Sequence, residues 1–72
     1  MILGTVKWYN SQKGYGFLTP DTRVNGGSDV FIHVSELDAS RINDLAEGAR
    51  LGFELGTSKR TGRPCAVGLK LL

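Results

Sequence analysis

Lys13-Gly14-Tyr15-Gly16-Phe17-Leu18 and Asp29-Val30-Phe31-Ile32-His33-Val34 are the two stretches whose alternation decides how this chain folds. In an extended strand, successive side chains point to opposite faces. The first stretch then places Lys13, Tyr15 and Phe17 on one side and Gly14, Gly16 and Leu18 on the other. The second places Asp29, Phe31 and His33 opposite Val30, Ile32 and Val34. Each strand has an aliphatic face and an aromatic-polar face. Burying the aromatic face would also bury Lys13 and Asp29, and an unpaired buried charge costs more than a small core can offset. The aliphatic face therefore turns inward, and Val6, Leu18, Val30, Ile32, Val34, Phe53 and Val67 are the expected core.

Working outward, β-branched and aromatic clusters punctuated by ten glycines predict five short strands. They span about Leu3 to Tyr9, Tyr15 to Thr19, Asp29 to Val34, Arg50 to Leu55 and Cys65 to Leu72. The turn NSQKG joins the first two, the loop DTRVNGGS precedes the third, and the basic loop GTSKRTGRP joins the last two. Residues 35–47 form a long connection. Ser35 could cap a helix there, with Glu36 and Asp38 in its first turn. Leu37, Ile42 and Leu45 do not sustain an apolar face, so a helical turn at most is expected. Five short strands within 72 residues close most economically into a small all-β barrel, because an open sheet would leave unpaired edges. One domain over residues 1–72 is expected, burying about 60% of the surface exposed by the unfolded chain.

Several function classes are disfavoured. Cys65 is the sole cysteine and cannot close an intramolecular disulfide, and no Cys/His cluster with metal-ligand spacing surrounds the sole histidine, His33. No GxxxxGK[ST] sequence suggests a nucleotide motor. One histidine, one cysteine and scattered carboxylates offer no base, nucleophile and orienting group within predictable reach, so no enzyme and no cofactor are expected. The N-terminus lacks the pattern of a signal peptide, and no stretch approaches the ~20 apolar residues of a membrane span. With a free thiol, this reads as a cytoplasmic protein.

Net charge is +2, too little to grip a polyanion by charge alone. Its distribution is uneven, because residues 55–72 carry Lys59, Arg60, Arg63 and Lys70 with no acid. Five of the six aromatic residues, Trp8, Tyr9, Tyr15, Phe17 and Phe31, fall in the first three strands. A contiguous exposed patch of Tyr15, Phe17, Phe31 and His33, joined by Trp8 from the neighbouring strand, marks a binding surface. Regular alternation would turn Trp8 to the side of Val6, so a local bulge in the first strand or a partly buried indole is expected there. Flat rings flanked by lysine suit single-stranded bases, each stacked base contributing ~1–3 kcal/mol. Lys7, Lys13 and the Lys59, Arg60, Arg63 loop would supply phosphate contacts. Gly14 and Gly16 suggest close backbone approach or sharp curvature beneath the rings.

The stretches GTVKWYN, KGYGFL and DVFIHV, in this order and spacing, resemble the three strand motifs of the cold-shock domain family, the last two being similar to its ribonucleoprotein motifs. The resemblance covers Gly4 to Leu69. It implies a five-stranded antiparallel Greek-key barrel of the oligonucleotide-binding (OB) fold that binds single-stranded RNA and DNA with little sequence preference. It also implies the role of an RNA chaperone and regulator of transcription and translation. Carried over by position, the binding residues are Lys7, Trp8, Asn10, Lys13, Tyr15, Phe17, Asp29, Phe31 and His33. The chain departs from the family where an aromatic is common, at Val34 and Ile42, and at Leu3, where a lysine is common. Loss of two stacking partners implies weaker binding than in fully aromatic relatives. A monomer is expected. The competing reading is a protein-interaction barrel whose aromatic patch docks a peptide or a second copy.

Overall fold

The computed structural model describes residues 1–27, 29–58 and 62–72. Five strands are present among the described residues: β1 (Ile2–Asn10), β2 (Tyr15–Pro20), β3 (Val30–His33), β4 (Arg50–Thr57) and β5 (Pro64–Leu71), with one short α-helix, α1 (Val34–Ala39), and a 3-10 turn at Asn25–Gly27. They close into a barrel in the order β1-β2-β3-β5-β4, sealed by pairing of β1 with β4. Closure satisfies both edges of what would otherwise be an open sheet. Four of the five pairings are antiparallel, and β3 with β5 is parallel, Phe31 lying opposite Cys65. The chain reaches that joint only after α1 and β4, and it returns in the direction of β3. An all-antiparallel barrel is thus corrected at this one seam.

Val6, Leu18, Val30, Ile32 and Phe53 are buried as their strand phase requires, and Phe53 is the largest fully buried side chain. Val34 and Val67 are only half-buried. Val34 has left the alternation because β3 stops at His33 and the helix begins one residue later. The cap is His33 rather than Ser35: with extended backbone angles, its Nδ1 accepts a hydrogen bond from the Ser35 backbone N–H at 3.1 Å. That cap satisfies one of the orphan N–H groups of the first turn. The resulting helix has six residues, longer than the single turn expected.

The connection after α1 contributes more core than its pattern suggests. Leu37, Ile42 and Leu45 are all buried, although their spacing fits neither a helix face nor a strand face. Leu37 is the buried residue of α1, which packs against β3 and β5. The irregular segment beyond it is tied down by backbone groups. The Leu69 N–H donates to Ser40 Oγ at 3.1 Å, and Val6 exchanges hydrogen bonds with Gly48 and Ala49 at 2.8 and 2.9 Å.

Those contacts to Val6 sit at the irregularity that aims the aromatic residues. The β1–β2 register shifts between Val6 and Trp8, so that Val6 faces Leu18 but Trp8 faces Phe17 and Tyr9 faces Gly16. Lys7 is the extra residue of a β-bulge, which returns Trp8 to the outer face as expected. Gly16 makes the close register possible. A Cβ there would collide with the Trp8 carbonyl oxygen and lie 2.7 Å from Tyr9 Cα. Gly16→Ala should therefore force β1 away from β2 and destabilise the protein by about 1–3 kcal/mol. A urea midpoint equal to that of the parent would show that the strands tolerate the methyl group.

Candidate nucleic-acid interface

The outer faces of β1, β2 and β3 carry a connected set of five rings. Trp8, Phe17 and Phe31 form a row across the three strands, because the register pairs Trp8 with Phe17 and Phe17 with Phe31. Their centroids are 5.5 and 5.7 Å apart. Tyr15 and His33, paired directly on β2 and β3, form a second row. Tyr15 lies 5.6 Å from Trp8 and 5.8 Å from Phe31, and His33 lies 6.2 Å from Phe31. All five are half-buried. The rings are tilted or edge-on to one another, which suits the aromatic quadrupole and leaves ring surface facing solvent. Tyr9 alternates the other way and packs on the core, where burial, then the charges of Asp44 and Asp38, push its hydroxyl pKa up.

Polar groups frame this patch, and the structure distinguishes roles that the motif leaves equal. Lys13 is exposed at the end of the β1–β2 turn. Asn10 builds that turn: its Oδ1 accepts hydrogen bonds from the backbone N–H groups of Gln12 and Lys13 at 2.9 and 3.0 Å. Gly14 closes it with a left-handed φ of 79°, which costs glycine little, and its N–H donates to the Asn10 carbonyl at 2.8 Å. Asn10 thus positions Lys13. Lys7 forms an ion pair with Asp29 at 2.9 Å, and Thr19 Oγ1 donates to the other Asp29 oxygen at 3.1 Å. The Lys7 bond is the main cause that holds the Asp29 carboxyl below its ordinary pKa. The two side chains neutralise each other, so Lys7 brings less positive field to the surface than an unpaired lysine.

At the far end, the His33 ring is oriented by Ser35, whose N–H and Oγ lie 3.1 and 2.9 Å from Nδ1. Val34 and Ile42, the positions where family members often carry an aromatic, have different fates. Val34 is half-buried in α1, and its N–H donates to the Gly14 carbonyl at 2.8 Å. Ile42 is 8% exposed and belongs to the core, so it does not extend the ring patch at all. Arg63 is exposed in the β4–β5 connection, its carbonyl accepting from the Ser58 N–H at 2.8 Å. Lys59 and Arg60 lie outside the described residues. Among the described residues, no group of three or more His, Cys, Asp or Glu side chains could hold a metal ion.

A closed barrel of this strand order, with a ring patch on β1–β3 and cations at its margins, is of the OB type. The family model described as the "'Cold-shock' DNA-binding domain" matches residues 2–71. A cold shock protein of Arthrobacter globiformis is 43% identical over 72 residues, covering 100% of both chains. A probable cold shock protein A of Mycolicibacterium smegmatis is 39% identical over the same span of 72 residues, again 100% of both. The cold shock-like protein CspE of Escherichia coli is 46% identical over 54 residues, 75% of this chain and 74% of its own length. This chain belongs to the cold-shock domain family, a family of nucleic-acid-binding proteins that are in general not enzymes. No described helix is long and apolar enough to cross a membrane.

Proposed function

We propose that this protein binds single-stranded RNA and DNA with low sequence preference, stacking bases on Trp8, Tyr15, Phe17, Phe31 and His33. The observation that carries this reading is the unbroken chain of ring contacts across three strands on an outer face. Every base has a π face, so such a platform is tolerant of sequence. Duplex DNA or RNA hides its base faces in the stack and cannot use it. Preferential binding of unpaired strands shifts hairpin equilibria toward open forms by mass action, without ATP. That is the action of an RNA chaperone, and opening structured transcripts in the cytoplasm gives it reach into transcription and translation. The monomer is sufficient for this, since all five rings come from one chain.

Trp8 is the only tryptophan and touches both Tyr15 and Phe17, so its emission reports occupancy of the platform. Titration with short single-stranded RNA and DNA should quench it, and duplex of equal length should not. Unchanged emission at tens of micromolar strand would overturn the reading and favour a protein-docking surface. With a net charge of +2, stacking carries most of the affinity and cations adjust it. Lys13→Gln should reduce the slope of log K against log salt by about 0.7, the single-strand value per phosphate contact. An unaltered slope would remove Lys13 from the phosphate path.

A further inference from the structure

The ring patch does not end in open solvent at His33. It runs into a groove of about 440 Å³ lined by Phe31, His33, Ser35, Glu36, Thr57, Ser58, Cys65 and Val67. That volume lies within the range of about 300–1,000 Å³ typical of sites for small ligands. The groove has an apolar floor, made by Phe31, Val67 and the buried Cys65, and a polar wall of three hydroxyl residues and one carboxylate. Two features distinguish this wall from the rest of the platform.

The first is its charge. Glu36 is half-buried, and among the described residues it has no ion-pair partner. Glu36 lines the groove together with Cys65, whose thiol pKa is raised by burial first and by the Glu36 charge second. A carboxylate here repels phosphate, so what enters beside it is the hydrogen-bond-donating edge of a base. The second is continuity. The groove shares Phe31 and His33 with the platform, so a base stacked at the His33 end lies beside the groove.

We propose that this groove is a guanine subsite at the His33 end of the platform, with Glu36 as the residue that determines specificity. The inference rests on the base-stacking function proposed above and adds one selective position to it. Guanine carries N1–H and the N2 amino group side by side on its Watson–Crick edge, two donors matched to the two oxygens of one carboxylate. Uracil and thymine offer a single N–H between two carbonyls, which the carboxylate repels. Adenine and cytosine each set one amino group beside a ring-nitrogen acceptor, so one carboxylate oxygen goes without a donor. Single-stranded bases are read by this kind of edge contact when they are unstacked and splayed on a protein surface.

The test is a Trp8 titration of the full chain with a uridine heptamer and seven variants of it, each with one guanosine, followed by the same set with inosine. Inosine keeps N1–H and lacks the amino group. One position should favour guanosine over uridine by about fivefold or more, the lower end of what a bidentate contact discriminates. Inosine at that position should fall between the two. In Glu36→Gln the guanosine-to-uridine ratio should collapse toward one, because a glutamine presents a single acceptor and its own amide donors. Equal affinities at all seven positions would overturn the proposal, and so would a preference that survives in Glu36→Gln. The inosine series tests the same contact in the unmutated protein. Absence of quenching by every strand would instead overturn the stacking function, and the subsite with it.

Discussion

Phe31→Ala is expected to weaken binding of a single-stranded heptamer by ~1–3 kcal/mol, roughly 5- to 150-fold in Kd, while leaving the barrel folded. Phe31 is the centre of the ring patch, within 5.8 Å of Tyr15, 5.7 Å of Phe17 and 6.2 Å of His33. Its removal takes away one stacking face and also loosens the neighbours that hold the others in place. The loss should exceed that of a peripheral ring such as Trp8. The phenylalanine stands on the outer face of β3, with Val30 and Ile32 turned inward, so the core is not breached. Thermal unfolding and Kd measured on the same sample separate the two effects. A protein that unfolds when Phe31 is truncated would show that the ring is part of the core, and the platform would lose its centre.

The opposite outcome is expected one layer down. Phe53→Ala should destabilise the protein by about 3–5 kcal/mol, the usual cost of emptying a fully buried phenylalanine site. Phe53 is 0% exposed and sits on β4 opposite Ile2 of β1, at the seam where the barrel closes. Domains of this kind have about 0.05–0.15 kcal/mol of stability per residue, roughly 4–11 kcal/mol for 72 residues. The substitution consumes from about a quarter to all of that margin. Urea denaturation should show a midpoint shifted far downward or no folded baseline. Binding per folded molecule should stay unchanged, since Phe53 belongs to the buried core rather than to the outer ring face. A loss below about 1 kcal/mol would mean that the core refills the space.

The two substitutions lie on opposite sides of one sheet, and the alternation of KGYGFL and DVFIHV is what makes them predictable. Tyr15, Phe17, Phe31 and His33 share a face in the sequence and share it in the structure, because strand period is a local property of the backbone. Trp8 shows the boundary of that logic. Its phase was wrong for the outer face by one residue, and the bulge at Lys7 corrects it. The misfit in phase was legible in the sequence. Its mechanism, Gly16 permitting a close backbone and Gly48 and Ala49 holding Val6, requires contacts between segments that no periodicity encodes.

Residues 35–47 show the same limit more sharply. Leu37, Ile42 and Leu45 fit no repeating face, yet all three are buried, because the surrounding barrel determines where an irregular segment can place its apolar groups. Ile42 stands where family members often carry an aromatic, and burial removes it from the surface entirely. Asn10 and Lys7 were likewise equal members of a motif. One builds the turn that presents Lys13, and the other is neutralised by Asp29. Motif position names residues that matter without separating those that touch a ligand from those that position others.

By itself the sequence determined the strand faces, the outward turn of Tyr15, Phe17, Phe31 and His33 and the membership of the chain in its family, since these follow from short-range alternation and ordered motifs. Only the tertiary structure decided the parallel β3–β5 seam, the burial of Ile42 and Leu45 in the irregular segment after α1, and the groove where Glu36 meets the end of the platform. The physical reason is common to all three. Each depends on segments far apart in the chain meeting across the closed barrel, and which segments meet is set by how the whole core packs rather than by the local preference of any one strand.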